Sequence, residues 1–203
     1  MSGLASAADP SLPIETYPLT PARWPDLETL FGSRGACAGC WCMWWRLAPA
    51  TFKRDKGAPN RESFRALVAA AATPPGLLAY AGAAPIGWCA LAPREEYPRL
   101  ERSRTLARVD DAPVWAITCF FVARAFRRRG VTTRLLTDAA AYAADHGALI
   151  VEGYPIDPSS PAVPDIFAWT GFLSAFRQAG FVEAARRSPS RPITRYYITP
   201  THS

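Results

Sequence analysis

The chain has 203 residues, of which 49% are hydrophobic and 20% are charged, as is usual for a globular protein. Its net charge of +6 comes almost entirely from arginine, which suits an anionic ligand, and charge alone does not exclude nucleic acid. No apolar run reaches the ~20 residues that span a membrane. We expect a flexible tail at residues 1–12 and a single domain over residues 13–203.

The N-terminal residues lack the basic and apolar regions of a signal peptide, so a cytoplasmic location is the default expectation. The chain contains five cysteines. Because this number is odd and no export signal is present, a disulfide framework is not expected.

Predicted strands and helices alternate along the chain. Apolar runs bounded by turn residues predict strands at 14–18, 77–81, 86–92, 114–122, 149–152, 182–186 and 194–199. Helical spacing predicts helices at 20–31, from Asn60 as N-cap to the prolines at 74–75, from 131 to Gly147, and at 166–178. The strand–helix–strand order from 114 to 152 indicates a parallel pair of strands.

The most informative stretch is an apolar strand followed by a basic turn and an amphipathic helix. The strand ends at Val122, the turn contains Arg127-Arg-Arg-Gly130, and the helix begins at Val131. First-turn N–H groups have no partners inside a helix, and the helix dipole favours negative charge there. Glycine permits close approach to the backbone. The pattern predicts an anion site, and the alternative is a solvated basic turn after a core strand.

This stretch resembles the acetyl-CoA-binding motif of the GNAT superfamily of N-acetyltransferases. The motif ends a strand in apolar-x-Val, here Phe120-Phe121-Val122, and continues Arg/Gln-x-x-Gly-x-Gly/Ala, here Arg127-Arg-Arg-Gly130-Val-Thr132. Thr132 departs from the small residue expected last. The step from the last helix to Gly180-Phe181 is similar to the family's second motif.

The order of elements from 14 to 199 also matches the GNAT topology. The resemblance therefore implies an α/β (α+β) fold with a mixed central sheet of about six to seven strands and about four flanking helices. In such a fold the parallel strands splay apart at the cofactor. The late strands could also pair between subunits, as in some relatives, to give a homodimer.

The resemblance further implies that acetyl-CoA is the co-substrate, that no metal is needed, and that a primary amine of a small molecule or peptide attacks the thioester directly. The pantetheine arm would pair with the end of the central strand, and the pyrophosphate would lie on the basic turn. We carry cofactor binding onto Phe120, Phe121, Val122, Arg127, Arg128, Arg129, Gly130, Val131, Thr132 and Thr133.

Catalytic groups are less clear, because many family members have a tyrosine four residues before the Gly-Phe pair and this chain has Phe176. Tyr154 and Asp157 follow the splayed strand and are candidate acids, although Tyr154 could simply be an amphipathic residue at a strand end. The thiolate could also leave unassisted.

Glu152 is the first candidate base, and further carboxylates lie at positions 95, 96, 110 and 111, where solvated loop residues are the alternative. Cys119 could carry the acyl group or be an ordinary buried cysteine.

The segment Cys37-Ala-Gly-Cys-Trp-Cys-Met-Trp-Trp-Arg46 has the most unusual composition and allows three interpretations. Its cysteines could bind zinc, but no nearby residue supplies a fourth ligand. Cys40 and the three tryptophans could form one core-facing side of a helix. Alternatively, the segment could line an acceptor pocket that binds an aromatic or cationic amine. The candidate acceptor-binding residues are Trp41, Trp44, Trp45, Arg46 and Trp169.

A second class of function stays open at this stage: a non-catalytic module of the same fold that binds acyl-CoA or nucleic acid. Nucleic acid is the weaker of these two, because the arginines cluster at one turn and do not form a stripe with interleaved aromatic residues. No membrane partner is expected.

Overall fold

The computed structural model describes residues 13–159 and 169–199. The strands are β1 (Ile14–Pro18), β2 (Gly76–Ala81), β3 (Ala84–Pro93), β4 (Trp115–Val122), β5 (Ile150–Gly153), β6 (Val182–Arg186) and β7 (Pro192–Tyr197). The α-helices are α1 (Trp24–Phe31), α2 (Pro49–Arg54), α3 (Ala58–Ala70), α4 (Pro98–Glu101), α5 (Val131–Asp145) and α6 (Leu173–Gln178).

The strands form one seven-stranded mixed sheet in the order β1-β2-β3-β4-β5-β7-β6. The β4–β5 pair is parallel and the other neighbouring strands are antiparallel. Helix α5 connects β4 to β5, so this parallel pair corresponds to the predicted strand–helix–strand unit. The expected α/β architecture with a mixed central sheet is confirmed.

Each face of the sheet is covered by helices. On one face, Leu135 and Leu136 of α5 are fully buried in a cluster with Ile117 and Phe120 of β4. On the other face, α1 and α3 cover the sheet through a second cluster of buried side chains, which contains Trp24, Leu27, Phe64, Val68, Leu78 and Trp88. The two clusters place the central strand β4 between two apolar layers, as its short apolar sequence predicted. In the described residues no helix combines the length and apolar character needed to cross a membrane.

Two predicted helix boundaries are wrong. Helix α3 begins at Ala58, so Asn60 lies inside it and not at its N-cap; the Asn60 amide instead donates to the carbonyl of Gly39 at 3.3 Å. The last long helix begins only at Leu173, because Gly171 has a φ of +83° and Phe172 is extended. The earlier part of that predicted helix and the predicted tail at 1–12 lie largely or wholly outside the described residues.

Candidate functional site

The central parallel pair of strands separates halfway along β4. Pairing between β4 and β5 joins Trp115 to Val151, Ala116 to Glu152 and Ile117 to Gly153, and β5 then ends. Strand β4 continues to Val122 and is paired there only with β3 among the described strands. The indole of Trp45 donates to the carbonyl of Thr118 at 3.1 Å, one residue beyond the last β4–β5 pair. The edge of β4 at 119–122 is therefore open toward the side that β5 leaves.

This open edge borders a cleft of about 1400 Å³. The volume exceeds the ~300–1,000 Å³ typical of sites for one drug-sized ligand, so the cleft has room for two reactants. One half of the cleft is formed by the end of β4, the basic turn, the start of α5 and helix α6. The other half is formed by the cysteine- and tryptophan-rich segment, by Phe52 of α2, and by residues near 103–106, 169–172 and 188–191.

The basic turn presents backbone donors and positive charge to the first half. Gly130 precedes α5 with φ +76° and ψ 0°, and Arg128 has a φ of +60° although it is not glycine. The first helical donor of α5 is the Arg134 N–H, which donates to the Gly130 carbonyl, so the N–H groups of residues 131–133 have no acceptor inside the helix. Left-handed backbone at a non-glycine residue costs about 1–2 kcal/mol and is often found at functional sites.

The structure brings most of the expected cofactor-binding residues to this half. All of Phe120, Phe121, Val122, Arg127, Arg128, Gly130, Val131, Thr132 and Thr133 line the cleft, whereas Arg129 does not. The Arg127 guanidinium donates to the carbonyl of Val122 at 3.2 Å, which ties the turn to the end of the strand. Arg134, one turn later, is paired with Asp138 at 2.5 Å.

The cysteine- and tryptophan-rich segment is not a helical face, so that prediction is wrong. Ala36, Ala38, Trp41 and Cys42 all have positive φ values between 44° and 61°, which an α-helix does not allow. The segment forms successive turns, and its aromatic side chains consequently point in different directions.

The tryptophans divide between the core and the cleft. Trp41 is buried among Trp24 and Phe31, with ring centroids 6.0 and 5.5 Å away, and does not line the cleft. Trp44 and Trp45 do line it, together with Trp169, whose ring packs against both.

Arg46 likewise lies outside the cleft lining. Its guanidinium pairs with Glu96 at 2.7 Å and lies 4.5 Å from the ring centroid of Tyr97. The core interpretation of this segment therefore applies to Trp41, while Trp44 and Trp45 line the cleft, where an acceptor pocket stays a prediction.

Four cysteines line the cleft: Cys37, Cys40, Cys42 and Cys119. The Sγ atoms of Cys42 and Cys119 are 3.9 Å apart, and the Trp88 indole donates to the Cys42 sulfur at 3.0 Å. Burial raises the pKa of Cys40 to about 12, and the hydrogen bond with Cys42 together with burial raises the pKa of Cys119. These two thiols are therefore protonated at neutral pH, which disfavours them as nucleophiles. Within the described parts of the chain, no group of three or more His, Cys, Asp or Glu side chains is arranged to hold a metal ion.

The candidate acid and base on β5 belong to a buried ionic cluster. Glu152 accepts from Arg94 at 2.8 Å and from Arg195 at 2.9 Å. The Tyr154 hydroxyl donates to Glu152 at 2.8 Å and accepts from Arg94 at 2.6 Å. Burial raises the pKa of Tyr154, and neither Glu152 nor Tyr154 lines the cleft. Sequence reasoning did not identify Arg94, and its position directly after a strand was the only signal.

Four other candidate carboxylates are also held by arginines, and neither they nor Asp111 line the cleft. Asp157 accepts from Ser159 and pairs with Arg186 at 2.9 Å, and both interactions lower its pKa. Glu95, Glu96 and Asp110 pair with Arg108, Arg46 and Arg195 respectively. Phe176 packs against Gly153, Phe120 and Phe181 in the core.

Comparison with known proteins identifies the family. A family model described as the acetyltransferase (GNAT) family matches residues 41–160, which is more than half of the chain. The chain therefore belongs to the GNAT acetyltransferase family. No curated protein matches it at a significant level.

Solved structures with the same fold cover almost the whole chain. The PaiA N-acetyltransferase of Thermoplasma acidophilum, in complex with coenzyme A, is 13% identical with a TM-score of 0.52, over 92% of this chain and all of that one. The polyamine N-acetyltransferase of Drosophila melanogaster is 12% identical with a TM-score of 0.54, at 92% and 100% coverage. A GNAT-family acetyltransferase of Streptococcus agalactiae is 11% identical with a TM-score of 0.55, at 92% and 96% coverage. At these identities the similarity concerns the fold.

Proposed function

We propose that this protein is an acetyl-CoA-dependent N-acetyltransferase that acetylates a primary amine of a small molecule or peptide. The observation that supports the proposal is that the open edge of β4, the basic turn before α5 and an aromatic pocket all border one cleft. We infer from this that an anionic cofactor and an acceptor would bind on either side of one exposed strand end.

The cofactor half matches the chemistry of coenzyme A. Its phosphates would accept from the N–H groups of residues 131–133, and Arg127 and Arg128 would contribute positive charge. The amides of the pantetheine arm would pair with the open edge of β4 at 119–122, in the way that an added strand pairs with a sheet edge. Acetyl-CoA supplies the activated acetyl group, and the protein supplies its placement.

The proposed reaction is direct transfer. The neutral amine nitrogen attacks the thioester carbonyl carbon, a C–N bond forms, the C–S bond breaks, and the nitrogen loses a proton as the thiolate gains one. A backbone N–H on the open edge of β4 would stabilise the developing oxyanion. Positioning of the two reactants contributes the rest of the acceleration.

The described walls of the cleft contain no carboxylate, tyrosine or histidine that could act as base or acid. We therefore do not propose Glu152, Tyr154 or Asp157 as catalytic groups, since their side chains are held in other interactions. The amine would lose its excess proton to solvent before it binds. The same observation keeps a non-catalytic acyl-CoA-binding module as the second candidate.

Two measurements on the purified protein test the proposal. Calorimetry should show binding of acetyl-CoA, and release of free thiol from acetyl-CoA should depend on an added primary amine. A reaction without amine serves as control for simple hydrolysis. Binding without amine-dependent thiol release across a broad panel would indicate the non-catalytic module, and a lack of binding would reject both.

A further inference from the structure

Positive charge is the common feature of the charged side chains around the acceptor half of the cleft. Lys56 and Arg191 line this half, and the described lining contributes no carboxylate to balance them. An acceptor with several positive charges would therefore meet repulsion, whereas an acceptor with a negative group would meet attraction.

Arg191 lies in the turn between β6 and β7 and is half-buried. Its guanidinium makes one side-chain hydrogen bond within the described residues, to the Thr170 hydroxyl at the long distance of 3.4 Å. By contrast, the buried arginines Arg94 and Arg195 each contact carboxylates at 2.6–2.9 Å. Burial lowers the pKa of Arg191. A guanidinium has five N–H donors in a planar fork that matches a carboxylate, and within residues 13–159 and 169–199 only one side-chain hydrogen bond uses them.

Three tryptophans, Trp44, Trp45 and Trp169, line the same cleft as this guanidinium and form its aromatic wall. Thr170 follows Trp169, whose ring centroid is 6.3 Å from that of Trp44 and 5.7 Å from that of Trp45. These rings could in principle bind a cation, but cations of the protein already lie over the Trp44 ring and over the neighbouring Phe52 ring. Arg99 lies 3.7 Å from the ring centroid of Trp44, and Lys56 lies 5.7 Å from that of Phe52. The remaining aromatic surface suits an apolar or aromatic body.

We propose that the acceptor is an amino acid or a similar amino-carboxylate with an aromatic or large apolar side chain. The Arg191 guanidinium binds its carboxylate, the wall of Trp44, Trp45 and Trp169 contacts its side chain, and its amine faces the open edge of β4. This inference rests on the proposed acetyltransferase function and specifies its acceptor.

Matched amines test the inference. Phenylalanine is compared with phenethylamine, which lacks only the carboxylate, and tryptophan is compared with tryptamine; spermidine represents polycationic acceptors. Rates are expressed per concentration of neutral amine, because the carboxylate also changes the pKa of the amine. We expect kcat/KM to be at least tenfold higher for each amino acid than for its decarboxylated partner, and spermidine to be the poorest acceptor. Equal or better acetylation of phenethylamine or spermidine would overturn the inference and leave the acetyltransferase function intact.

Substitution of Arg191 provides a second test of the proposed carboxylate site. Arg191→Met should reduce the phenylalanine-to-phenethylamine ratio of kcat/KM at least tenfold, mainly through KM, and Arg191→Lys should restore part of it. Arg177→Met on the exposed side of α6 removes an arginine that does not line the cleft, and should leave the ratio unchanged. An unchanged ratio in Arg191→Met would contradict the assignment.

A binding measurement separates this inference from the proposed function. If no amine is acetylated, the acetyltransferase proposal fails. Quenching of tryptophan fluorescence by phenylalanine in the CoA-saturated protein then decides the inference directly. Quenching that Arg191→Met abolishes would support the carboxylate site, and the absence of quenching in the parent would reject it.

Discussion

The carboxylate of Glu152 and the guanidinium of Arg94 lie 2.8 Å apart in the protein interior, and each side chain is only 1% exposed. Arg195 approaches the other oxygen of the same carboxylate at 2.9 Å. Glu152 thus joins the loop after β3 to strand β7 through the middle of the sheet. These two ion pairs explain why a carboxylate lies beside the splayed strands, and no catalytic role is needed to explain it.

Replacement of Glu152 should therefore reduce stability. We expect Glu152→Gln to lower the free energy of unfolding by about 3 kcal/mol, because removal of one partner leaves buried charge uncompensated. Urea denaturation measures the change. Glu183→Gln is the matched control: its pair with Arg186 is partly exposed, and its loss should cost no more than about 1 kcal/mol. A Glu152→Gln loss as small as that of the control would contradict the structural role.

Tyr154→Phe separates structural support from acid catalysis. The hydroxyl is buried between Arg94 and Glu152, so its removal should lower the free energy of unfolding by about 1–3 kcal/mol. Turnover per folded molecule should stay within about twofold of the parent, measured as thiol release below the unfolding temperature. A drop in kcat of tenfold or more in the folded variant would instead establish Tyr154 as part of the chemistry.

The two tryptophans Trp41 and Trp44 should respond differently to the same substitution. Trp41→Phe removes core contacts with Trp24 and Phe31, so we expect a lower melting temperature and an unchanged acceptor KM. Trp44→Phe alters the cleft wall, so we expect a higher acceptor KM and a smaller change in melting temperature. Thermal unfolding and steady-state kinetics measured on both variants check this contrast, and identical behaviour of the two would contradict the division between core and cleft.

The pH dependence of catalysis should follow the acceptor amine. Since the described cleft walls contain no carboxylate or histidine to take its proton, kcat/KM should keep rising with pH toward the amine's own pKa, which is about 10 for an alkyl amine. Acceptors of different amine pKa should show correspondingly shifted profiles. A plateau reached near pH 7 with every acceptor would reveal a general base in the protein and would contradict this account.

The fold was predictable from sequence because its signals are local. The apolar run ending at Val122, the glycine before α5 and the spacing of Leu135 and Leu136 together indicate the central strand–helix–strand unit, and the sheet order is consistent with it. The same residues predicted the basic turn, which lines the cleft.

The rest of the candidate site could not be predicted from sequence, because it depends on long-range contacts and on left-handed backbone. The positive φ values at Trp41 and Cys42 direct neighbouring side chains to different clusters, which no helical periodicity could indicate. Glu152 and Tyr154 occupy a strand end as predicted, yet Arg94, 58 residues earlier than Glu152, holds both in the interior. Arg191 lies in an ordinary-looking turn, and only the fold brings it to Thr170 and to the lining of the cleft.

The placement of the cofactor is tested most directly by calorimetry with acetyl-CoA on two variants of Gly130. A Cβ at this position meets no atom within 4 Å, and asparagine tolerates the left-handed backbone, so both Gly130→Asn and Gly130→Asp should fold. The two differ only in the negative charge that faces the proposed pyrophosphate site. We predict that Gly130→Asn binds acetyl-CoA within a few-fold of the parent and that Gly130→Asp binds at least tenfold more weakly. Equal affinity of the two variants would contradict a phosphate site at the start of α5.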